Sequence, residues 1–308
     1  MNKPWLRRLG LGLIALLAVL YLWPTPRASF ADLADRVEPT QRQAFLDFRA
    51  AHPPRTLEVD GQSWEYIVMG AGPETVLFLP GTTGSADIWW QQMTALAPDF
   101  RVISVTYPAA DGLEGLSRGV LAILDAEGVT RAHVVGSSLG GYLAQYLLRT
   151  HPDRVERLVL GNTFPPNDVL RAKNEGLIRL LPWLPEWLVM HFLRQSIETN
   201  LYPASGYSEF LRAYLLEQVS GRLSKAQVIA RARADIEAFE APDPAALGVP
   251  VLIIEADNDP LVEPALRAQL KATYPTATVH TLHGVGHFPY LSAADQYTPL
   301  LQAFLQQP

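Results

Sequence analysis

The chain has 308 residues, of which 48% are hydrophobic and 18% charged, with a net formal charge of −6 and no cysteine. This composition excludes a disordered chain, and an acidic chain without basic runs argues against nucleic acid as a partner, because phosphate binding needs clustered Lys and Arg. The lack of cysteine excludes disulfide frameworks, iron–sulfur clusters, thiolate zinc sites and a cysteine nucleophile.

An uncharged apolar run at residues 9–23 follows three basic residues, Lys3, Arg7 and Arg8. Counted from residue 5, the segment approaches the roughly 20 residues that a membrane-spanning helix needs, and aromatic side chains stand at both of its ends, as at membrane interfaces. We expect residues 5–23 to form a single N-terminal transmembrane helix that anchors the protein. Because positive residues stay cytoplasmic, the following domain would lie on the non-cytoplasmic side. A cleaved signal peptide, leaving a secreted or periplasmic protein, is the alternative.

Beyond residue 30, apolar strand patterns alternate with helical patterns. The predicted strands lie at residues 56–60, 63–69, 75–79, 101–107, 132–136, 157–160, 249–255 and 278–282. The predicted helices outside the segment at 165–240 lie at residues 31–50, 86–97, 116–127, 139–149, 263–273 and 293–305. Asp60-Gly61, between the first two strands, is a hairpin turn signal. The alternation predicts an α/β fold: a mostly parallel sheet, helices on both faces and an antiparallel hairpin at one edge.

Residues 165–240 break this alternation, because they contain helical segments and no strand pattern. We interpret them as a helical cap inserted into an α/β core formed by residues 31–164 and 241–308, with residues 1–30 as the anchor or signal segment. In open α/β sheets ligands bind at the carboxyl ends of the strands, which such a cap would cover. Large apolar side chains are expected either to line a pocket there or to pack between cap and core: Trp89, Trp90, Trp183, Trp187, Met190, Phe192 and Leu193.

A G-x-S-x-G motif at residues 136–140 lies between a predicted strand and a predicted helix. That context places the serine on a sharp turn with its hydroxyl exposed. Ser138 occupies the central position and is the predicted nucleophile, with Ser137 as the competing candidate. Two backbone N–H groups are the predicted oxyanion hole. One belongs to Leu139, directly after the nucleophile, and the other to Thr82, in the glycine-containing loop after the third strand.

A serine nucleophile needs a base, and in this fold the chain order is serine, acid, histidine. His287 lies in a glycine-rich loop after the last predicted strand and is the predicted base. Asp257 and Asp259 share the loop after the preceding strand, and the position of Asp259 just before a helix favours it as the acid. A metal site formed by His280, His283 and His287 is disfavoured, because the set has no helical zinc motif. No metal or organic cofactor is implied.

Together these segments make residues 55–308 resemble the α/β-hydrolase superfamily. The segments that carry the resemblance are Leu-Pro-Gly-Thr-Thr-Gly at 79–84, Gly-Ser-Ser-Leu-Gly-Gly at 136–141, Asp-Pro at 259–260 and Gly-His-Phe at 286–288. The loops Pro-Gly-Thr-Thr-Gly-Ser-Ala-Asp-Ile-Trp-Trp at 80–90, Tyr-Pro at 107–108 and Phe-Pro-Tyr-Leu at 288–291 are similar to the maspardin-like branch.

The resemblance implies the α/β-hydrolase fold and a serine hydrolase with a Ser138, Asp259 and His287 triad. We expect a carboxylic-ester hydrolase that acts through an acyl-enzyme on a small-molecule, apolar acyl substrate. Maspardin departs from the triad at the histidine and is regarded as a binding protein. A non-catalytic binding or adaptor protein is therefore the alternative function, although this chain retains His287.

Overall fold

The computed structural model describes residues 11, 12, 15 and 18–307. Its strands are β1 (Arg55–Val59), β2 (Gln62–Met69), β3 (Thr75–Leu79), β4 (Arg101–Thr106), β5 (Ala132–Ser137), β6 (Val155–Gly161), β7 (Val251–Ala256) and β8 (Thr278–Leu282). Its α-helices are α1 (Phe30–Leu33), α2 (Pro39–Ala51), α3 (Trp90–Leu96), α4 (Gly112–Ala126), α5 (Leu139–Thr150), α6 (Asp168–Leu180), α7 (Glu186–Ser196), α8 (Tyr202–Ala204), α9 (Glu209–Glu217), α10 (Lys225–Ala234), α11 (Pro244–Leu247), α12 (Pro264–Thr273), α13 (Pro289–Ser292) and α14 (Ala294–Leu305).

The eight strands form one sheet in the order β1-β2-β4-β3-β5-β6-β7-β8. The pairs β1–β2 and β2–β4 are antiparallel, and the other neighbouring pairs are parallel. At the turn between β1 and β2, Asp60 and Gly61 have φ angles of 52° and 71°. Two successive positive φ angles are typical of the type I′ turn that matches the twist of a hairpin. The predicted fold class, a mostly parallel sheet with an antiparallel hairpin at one edge, is confirmed.

Alternate residues of the central strand β3 point to opposite faces of the sheet. Val76 and Phe78 belong to one buried cluster, with side chains of α3 and α14, whereas Leu77 and Leu79 belong to a second, with side chains of α4, α5 and α12. All four side chains are completely buried, and burial of each stabilises the fold by about 1.5–3 kcal/mol. Helices on both faces therefore hold the strands, and with them the loops at the strand ends.

The segment at residues 165–240 leaves the sheet after β6 and returns to it at β7, the neighbouring strand. Its structure is helical, from α6 to α10, and it is called the insertion below. The N-terminal helices α1 and α2 pack against it, because Phe30 and Phe45 contact Phe210 at ring-centroid distances of 5.4 and 5.1 Å. Aromatic contacts thus join the start of the described domain to the insertion.

Two arginines paired with buried carboxylates reinforce this junction. Arg49 of α2 donates to Asp87 at 2.8 Å and to Glu217 of α9 at 2.6 Å, and Arg222 donates to Asp87 at 2.7 Å. Burial by itself would raise the pKa of Asp87, but the charges of Arg222 and Arg49 and a hydrogen bond from the Tyr214 hydroxyl lower it to about 2. Asp87 is therefore an anion that holds α2 and the insertion against the loop before α3.

Most of the predicted membrane span at residues 5–23 lies outside the described residues. Within the described part of the chain, no helix combines the length and apolar character needed to cross a bilayer. The last residues of the predicted span contact the insertion: Trp187 donates its indole N–H to the Leu20 carbonyl at 2.7 Å, and the Lys225 ammonium lies 5.6 Å from the centre of the Tyr21 ring. The anchor stays a prediction.

The parallel strands bring the predicted site residues, together with Asn162, which was not predicted, to the carboxyl ends of the strands. Loops that begin at the carboxyl ends of β3, β5, β6, β7 and β8 carry Thr82, Ser138, Asn162, Asp259 and His287, respectively. In open α/β sheets the carboxyl ends of the strands form the ligand-binding edge. The topology therefore assembles residues that are as far apart in the sequence as Thr82 and His287.

Candidate active site

Ser138 lies on a strained turn between β5 and α5. Its backbone angles, φ 54° and ψ −122°, are unusual for a residue with a side chain. The turn is tight enough to exclude side chains on both sides. A Cβ at Gly136 would lie 2.2 Å from the Gly140 carbonyl oxygen, and one at Gly140 would lie 2.0 Å from the Leu79 carbonyl oxygen. The two glycines of the motif are therefore required by packing, as a nucleophile elbow demands.

The two neighbouring serines have different exposure. Ser137, the last residue of β5, is completely buried, whereas Ser138 is partly exposed. A buried hydroxyl cannot meet a substrate, so the structure favours Ser138 as the reacting serine. The Ser138 N–H donates to the Gly161 carbonyl at 3.1 Å, which fixes the turn against the end of β6.

The loop after β3 passes close to Ser138. A Cβ added at Gly81 would lie 3.1 Å from the Ser138 Cβ, so a side chain there would crowd the nucleophile. The next residue is Thr82, whose N–H makes no hydrogen bond among the residues that the structure describes. Leu139 is the first residue of α5, where N–H groups have no partner within the helix and the dipole favours negative charge. Both predicted oxyanion donors thus flank Ser138.

Asp259 and His287 form a buried pair. The His287 Nδ1 atom lies 2.8 Å from Asp259 Oδ2 and 2.9 Å from Oδ1, and only 2% of His287 is exposed. Burial alone would raise the pKa of Asp259, but the His287 ring and hydrogen bonds from Asn162 and Leu261 hold it below its ordinary value. The carboxylate therefore stays ionised, orients the ring and leaves Nε2 as the nitrogen that can exchange a proton with a substrate.

The competing acid, Asp257, has a different partner. It pairs with the exposed His283 at 2.7 Å and accepts a hydrogen bond from the Gly284 N–H at 3.0 Å. These contacts join the loop after β7 to the loop after β8 at the surface. The loop position that favoured Asp259 from the sequence thus agrees with the geometry. Among the described residues, no group of three or more His, Cys, Asp or Glu side chains is arranged to hold a metal ion.

Asn162 is a site residue that the sequence reasoning missed. It follows β6 at a φ angle of 40°, is 1% exposed, and donates its amide to Asp259 Oδ2 at 2.8 Å and to the Gly286 carbonyl at 3.3 Å. It therefore supports both members of the acid–histidine pair. Its only sequence signal is its place after a parallel strand, where the neighbouring strands carry Ser138 and Asp259.

The predicted site residues form two groups, with Ser138, Thr82 and Leu139 in one and Asp259 and His287 in the other. Within the described residues the Ser138 hydroxyl makes no hydrogen bond to the His287 ring. Such contacts are often long before substrate binds. The Thr82 hydroxyl donates to the Asp235 carboxyl at 2.9 Å, and the charge of His287 acts on that same carboxyl. Asp235 therefore contacts the Thr82 group directly and is acted on by the charge of His287.

The large apolar residues singled out in the sequence do not line a common pocket. Trp183 and Phe192 are 78% and 57% exposed, whereas Met190 is buried. Trp89 is also fully buried and stacks on Tyr290 with ring centres 3.9 Å apart. The burial of Trp89 and Met190 agrees with the packing alternative, whereas Trp183 and Phe192 face outward.

Comparison with known proteins agrees with this geometry. The family model described as "Alpha/beta hydrolase family" matches residues 76–299. A 2-hydroxy-6-oxononadienedioate/2-hydroxy-6-oxononatrienedioate hydrolase of Burkholderia vietnamiensis is 29% identical over 263 residues, covering 79% of this chain and 90% of that protein. Mouse maspardin is 26% identical over 274 residues, covering 84% of this chain and 85% of maspardin. The resemblance to the maspardin-like branch is confirmed.

A solved structure shows the same fold. The enol-lactonase of Burkholderia xenovorans superposes with a TM-score of 0.70 at 22% identity, covering 82% of this chain and all of that one. At this identity the likeness is one of fold alone. It confirms the predicted parallel sheet with helices on both faces.

Proposed function

The chain belongs to the alpha/beta hydrolase family, and from that membership we propose that it hydrolyses carboxylic esters with Ser138 as nucleophile, His287 as base and Asp259 as orienting acid. The observation that carries the proposal is the strained, partly exposed Ser138 at one edge of a sheet that also carries a buried Asp259–His287 pair. A structural serine has no need of unusual backbone angles, and a structural histidine has no need of a buried carboxylate. Their presence at one edge supports catalysis.

In the first half of the reaction, the Ser138 Oγ attacks the acyl carbon of the ester while His287 Nε2 takes the hydroxyl proton. Asp259, fixed on Nδ1 at 2.8 Å, stabilises the imidazolium without taking a proton itself. The carbonyl oxygen becomes an oxyanion that accepts hydrogen bonds from the Thr82 and Leu139 N–H groups. The intermediate then collapses, the alcohol leaves with the proton from His287, and an acyl-enzyme remains on Ser138.

In the second half, water replaces the alcohol. His287 removes a proton from water, the hydroxide attacks the acyl carbon, and the same two N–H groups hold the second oxyanion. Collapse returns the proton to Ser138 Oγ and releases the carboxylic acid. The residues described here supply every group that these steps use, and the proposal calls for no metal or organic cofactor.

We propose a small-molecule substrate with an apolar acyl group. Phe288, directly after the predicted base, is 3% exposed and packs edge-on against the His287 ring at 4.9 Å between centres. An apolar wall beside the base favours an apolar group over a charged one, because burying an unpaired charge there is costly. A series of p-nitrophenyl esters with acyl chains of increasing length tests this preference.

Covalent labelling tests the mechanism. A fluorophosphonate probe should label the wild-type protein and fail to label Ser138→Ala, with ester turnover lower by about 10³-fold or more. Ser137→Ala is the matched control, since its side chain is buried beside the elbow, and it should keep labelling at Ser138. Labelling that survives Ser138→Ala and disappears in Ser137→Ala would contradict the assignment of the nucleophile.

The alternative, a non-catalytic binding or adaptor protein, rests on the 26% identity to maspardin. The same assays decide between the two functions, because a wild-type protein that neither takes the probe nor turns over any ester supports the binding protein. A lactone and a 2-hydroxy-6-oxononadienedioate substrate extend the panel, since an enol-lactonase shares the fold and a relative is named for that dienedioate.

We also propose that residues 5–23 anchor the protein in a membrane, with the hydrolase domain on the non-cytoplasmic side. The apolar run, the basic residues before it and the aromatic residues at its ends support this topology. A cleaved signal peptide is the competing interpretation. Fractionation and N-terminal analysis separate the two, as described below.

A further inference from the structure

Helix α10 of the insertion holds the loop that contains Thr82. Arg231, 1% exposed, donates from Nη1 to the carbonyls of Thr82 at 2.8 Å and Gly84 at 3.0 Å, and from Nη2 to the carbonyl of Tyr107. A buried cation is tolerated only where its N–H groups find acceptors. Burial lowers the pKa of Arg231 to about 10, so it remains charged at neutral pH. The backbone of the loop after β3 that contains Thr82, called the oxyanion loop below, is therefore hydrogen-bonded to the insertion.

Asp235, one helical turn after Arg231, holds the side chain of the same loop residue. The Thr82 hydroxyl donates to Asp235 Oδ2 at 2.9 Å. The other oxygen, Oδ1, is buried and has no hydrogen-bond partner in the described part of the chain. An ionised carboxylate with one buried oxygen unpaired is costly, and a proton on Oδ1 lowers that cost because it removes the buried charge. Burial accordingly raises the pKa of Asp235 to about 7, although the Thr82 hydroxyl and the charge of His287 oppose the rise.

Few charges act on Asp235. His287 faces it from the loop after β8, Tyr107 from the end of β4 and Tyr142 from α5, and Arg231 lies one turn away on its own helix. Burial raises the pKa of both tyrosines, so they stay neutral at physiological pH. Among the described residues, a protonated His287 is therefore the charge that opposes a negative charge on Asp235.

We propose that Asp235 is a positioning residue for the oxyanion loop, which it holds through the Thr82 hydroxyl as a neutral carboxylic acid. The inference rests on the proposed function, because it takes the Thr82 N–H as an oxyanion donor. A neutral acid fixes Thr82 without adding negative charge. If Asp235 were ionised, its negative charge would lie next to Thr82, the residue whose N–H binds the developing oxyanion. Repulsion between the two negative charges would raise the energy of the transition state.

This role gives a direction for the pH dependence. As pH rises through about 7, Asp235 loses its proton, and the new negative charge works against the oxyanion. Turnover should therefore decline on the alkaline side even though Ser138 and the Asp259–His287 pair remain in place. Asparagine has the shape of the neutral acid, accepts the same hydrogen bond from Thr82 and cannot ionise. The variant Asp235→Asn separates charge from shape.

The experiment measures kcat and KM from pH 5 to pH 10 for the wild type, Asp235→Asn and Asp235→Ala, with the exposed Asp35→Asn as a charge control. We expect Asp235→Asn to have the kcat that the wild type shows when Asp235 is protonated. The kcat of this variant should not decline as the pH rises above about 7. Asp235→Ala should lower kcat by about 10- to 100-fold with a smaller change in KM, because a misplaced donor acts on the transition state. An alkaline decline in Asp235→Asn equal to that of the wild type would overturn the proposal.

A second measurement is independent of turnover. Amide hydrogen exchange in a peptide covering residues 80–90 should be faster in Asp235→Ala and in Thr82→Val than in the wild type, and near wild type in Asp235→Asn. The double variant Thr82→Val/Asp235→Ala should add little to either single change, because both remove one contact. Unchanged exchange in Asp235→Ala overturns the positioning role. A wild type that neither labels nor turns over, but shows this exchange pattern, overturns only the proposed function.

Discussion

Asn162 donates a hydrogen bond to Asp259 across 97 positions of sequence, at 2.8 Å between its amide nitrogen and Oδ2. It does so from a positive φ angle of 40°, a conformation that asparagine adopts more readily than most residues. The contact gives the carboxylate a neutral donor besides His287 and fixes its rotation. The position of His287 thus depends on the end of β6 as well as on the loop that carries Asp259.

The first prediction compares Asn162→Gly with Asn162→Ala. Both remove the amide, so both should lower kcat to a similar extent, up to about 100-fold, because the acid–histidine pair loses its orientation. Only alanine also strains the backbone at positive φ, so it should be less stable than glycine by about 1 kcal/mol. Ester kinetics and urea unfolding of the two variants check this. Equal stability, or a glycine variant with full activity, would contradict it.

The second prediction separates the two aspartates of the loop after β7. Asp259→Asn should lower kcat by as much as about 10⁴-fold, because an amide can leave the His287 proton on the wrong nitrogen. Asp257→Asn is the matched control two residues away, and its loss should be far smaller, since its partner is the exposed His283. Steady-state kinetics with one p-nitrophenyl ester measure both. Comparable losses in the two variants would remove Asp259 from its proposed role.

The sequence predicted those features that local chemistry determines. The strand patterns, the hairpin at Asp60-Gly61 and the elbow at Ser138 depend on residues near one another in the chain. The preference for Asp259 over Asp257 followed from loop position alone, and the contacts of the two residues agree with it.

Asn162 and Asp235 escaped prediction for a physical reason. Each contacts residues far away in the sequence: Asn162 donates to Asp259, 97 positions away, and Asp235 accepts from Thr82, 153 positions away. Such a contact produces no periodic pattern and no fixed residue spacing in the sequence from which it could be predicted. The exposure of Trp183 and Phe192 was missed for a related reason, because an apolar residue in a helical pattern does not reveal which side of the helix the rest of the protein covers.

The third prediction concerns the N-terminus. If residues 5–23 span a membrane, the full-length protein should stay in the membrane pellet after an alkaline carbonate wash, with its N-terminus intact. A chain beginning near residue 30 should be released into the supernatant under the same conditions. A mature N-terminus near Asp32 in a soluble fraction would instead establish a cleaved signal peptide.

The fourth prediction concerns stability against acid. The pKa of Asp87 is lowered from its ordinary value to about 2, chiefly because Arg222 and Arg49 outweigh the effect of burial. A carboxyl whose pKa is lowered by folding contributes stability to the folded state. That contribution is complete above the pKa that the carboxyl has in the unfolded chain, and it is lost as the pH falls through the pKa that the carboxyl has in the folded protein. This contribution, about 2 kcal/mol, should thus be present at pH 7 and decline between about pH 4 and pH 2.

Asp87→Asn isolates that contribution. The variant should be less stable than the wild type at pH 7, because Arg49 and Arg222 lose a buried partner, and the difference should shrink as pH falls from about 4 to about 2. Urea unfolding at a series of pH values measures it. Asp60→Asn is the control, since Asp60 forms an exposed ion pair with Arg118 that should contribute little at any pH. A difference between Asp87→Asn and the wild type that stays constant from pH 7 to pH 2 would show that the side chain acts through packing rather than through its charge.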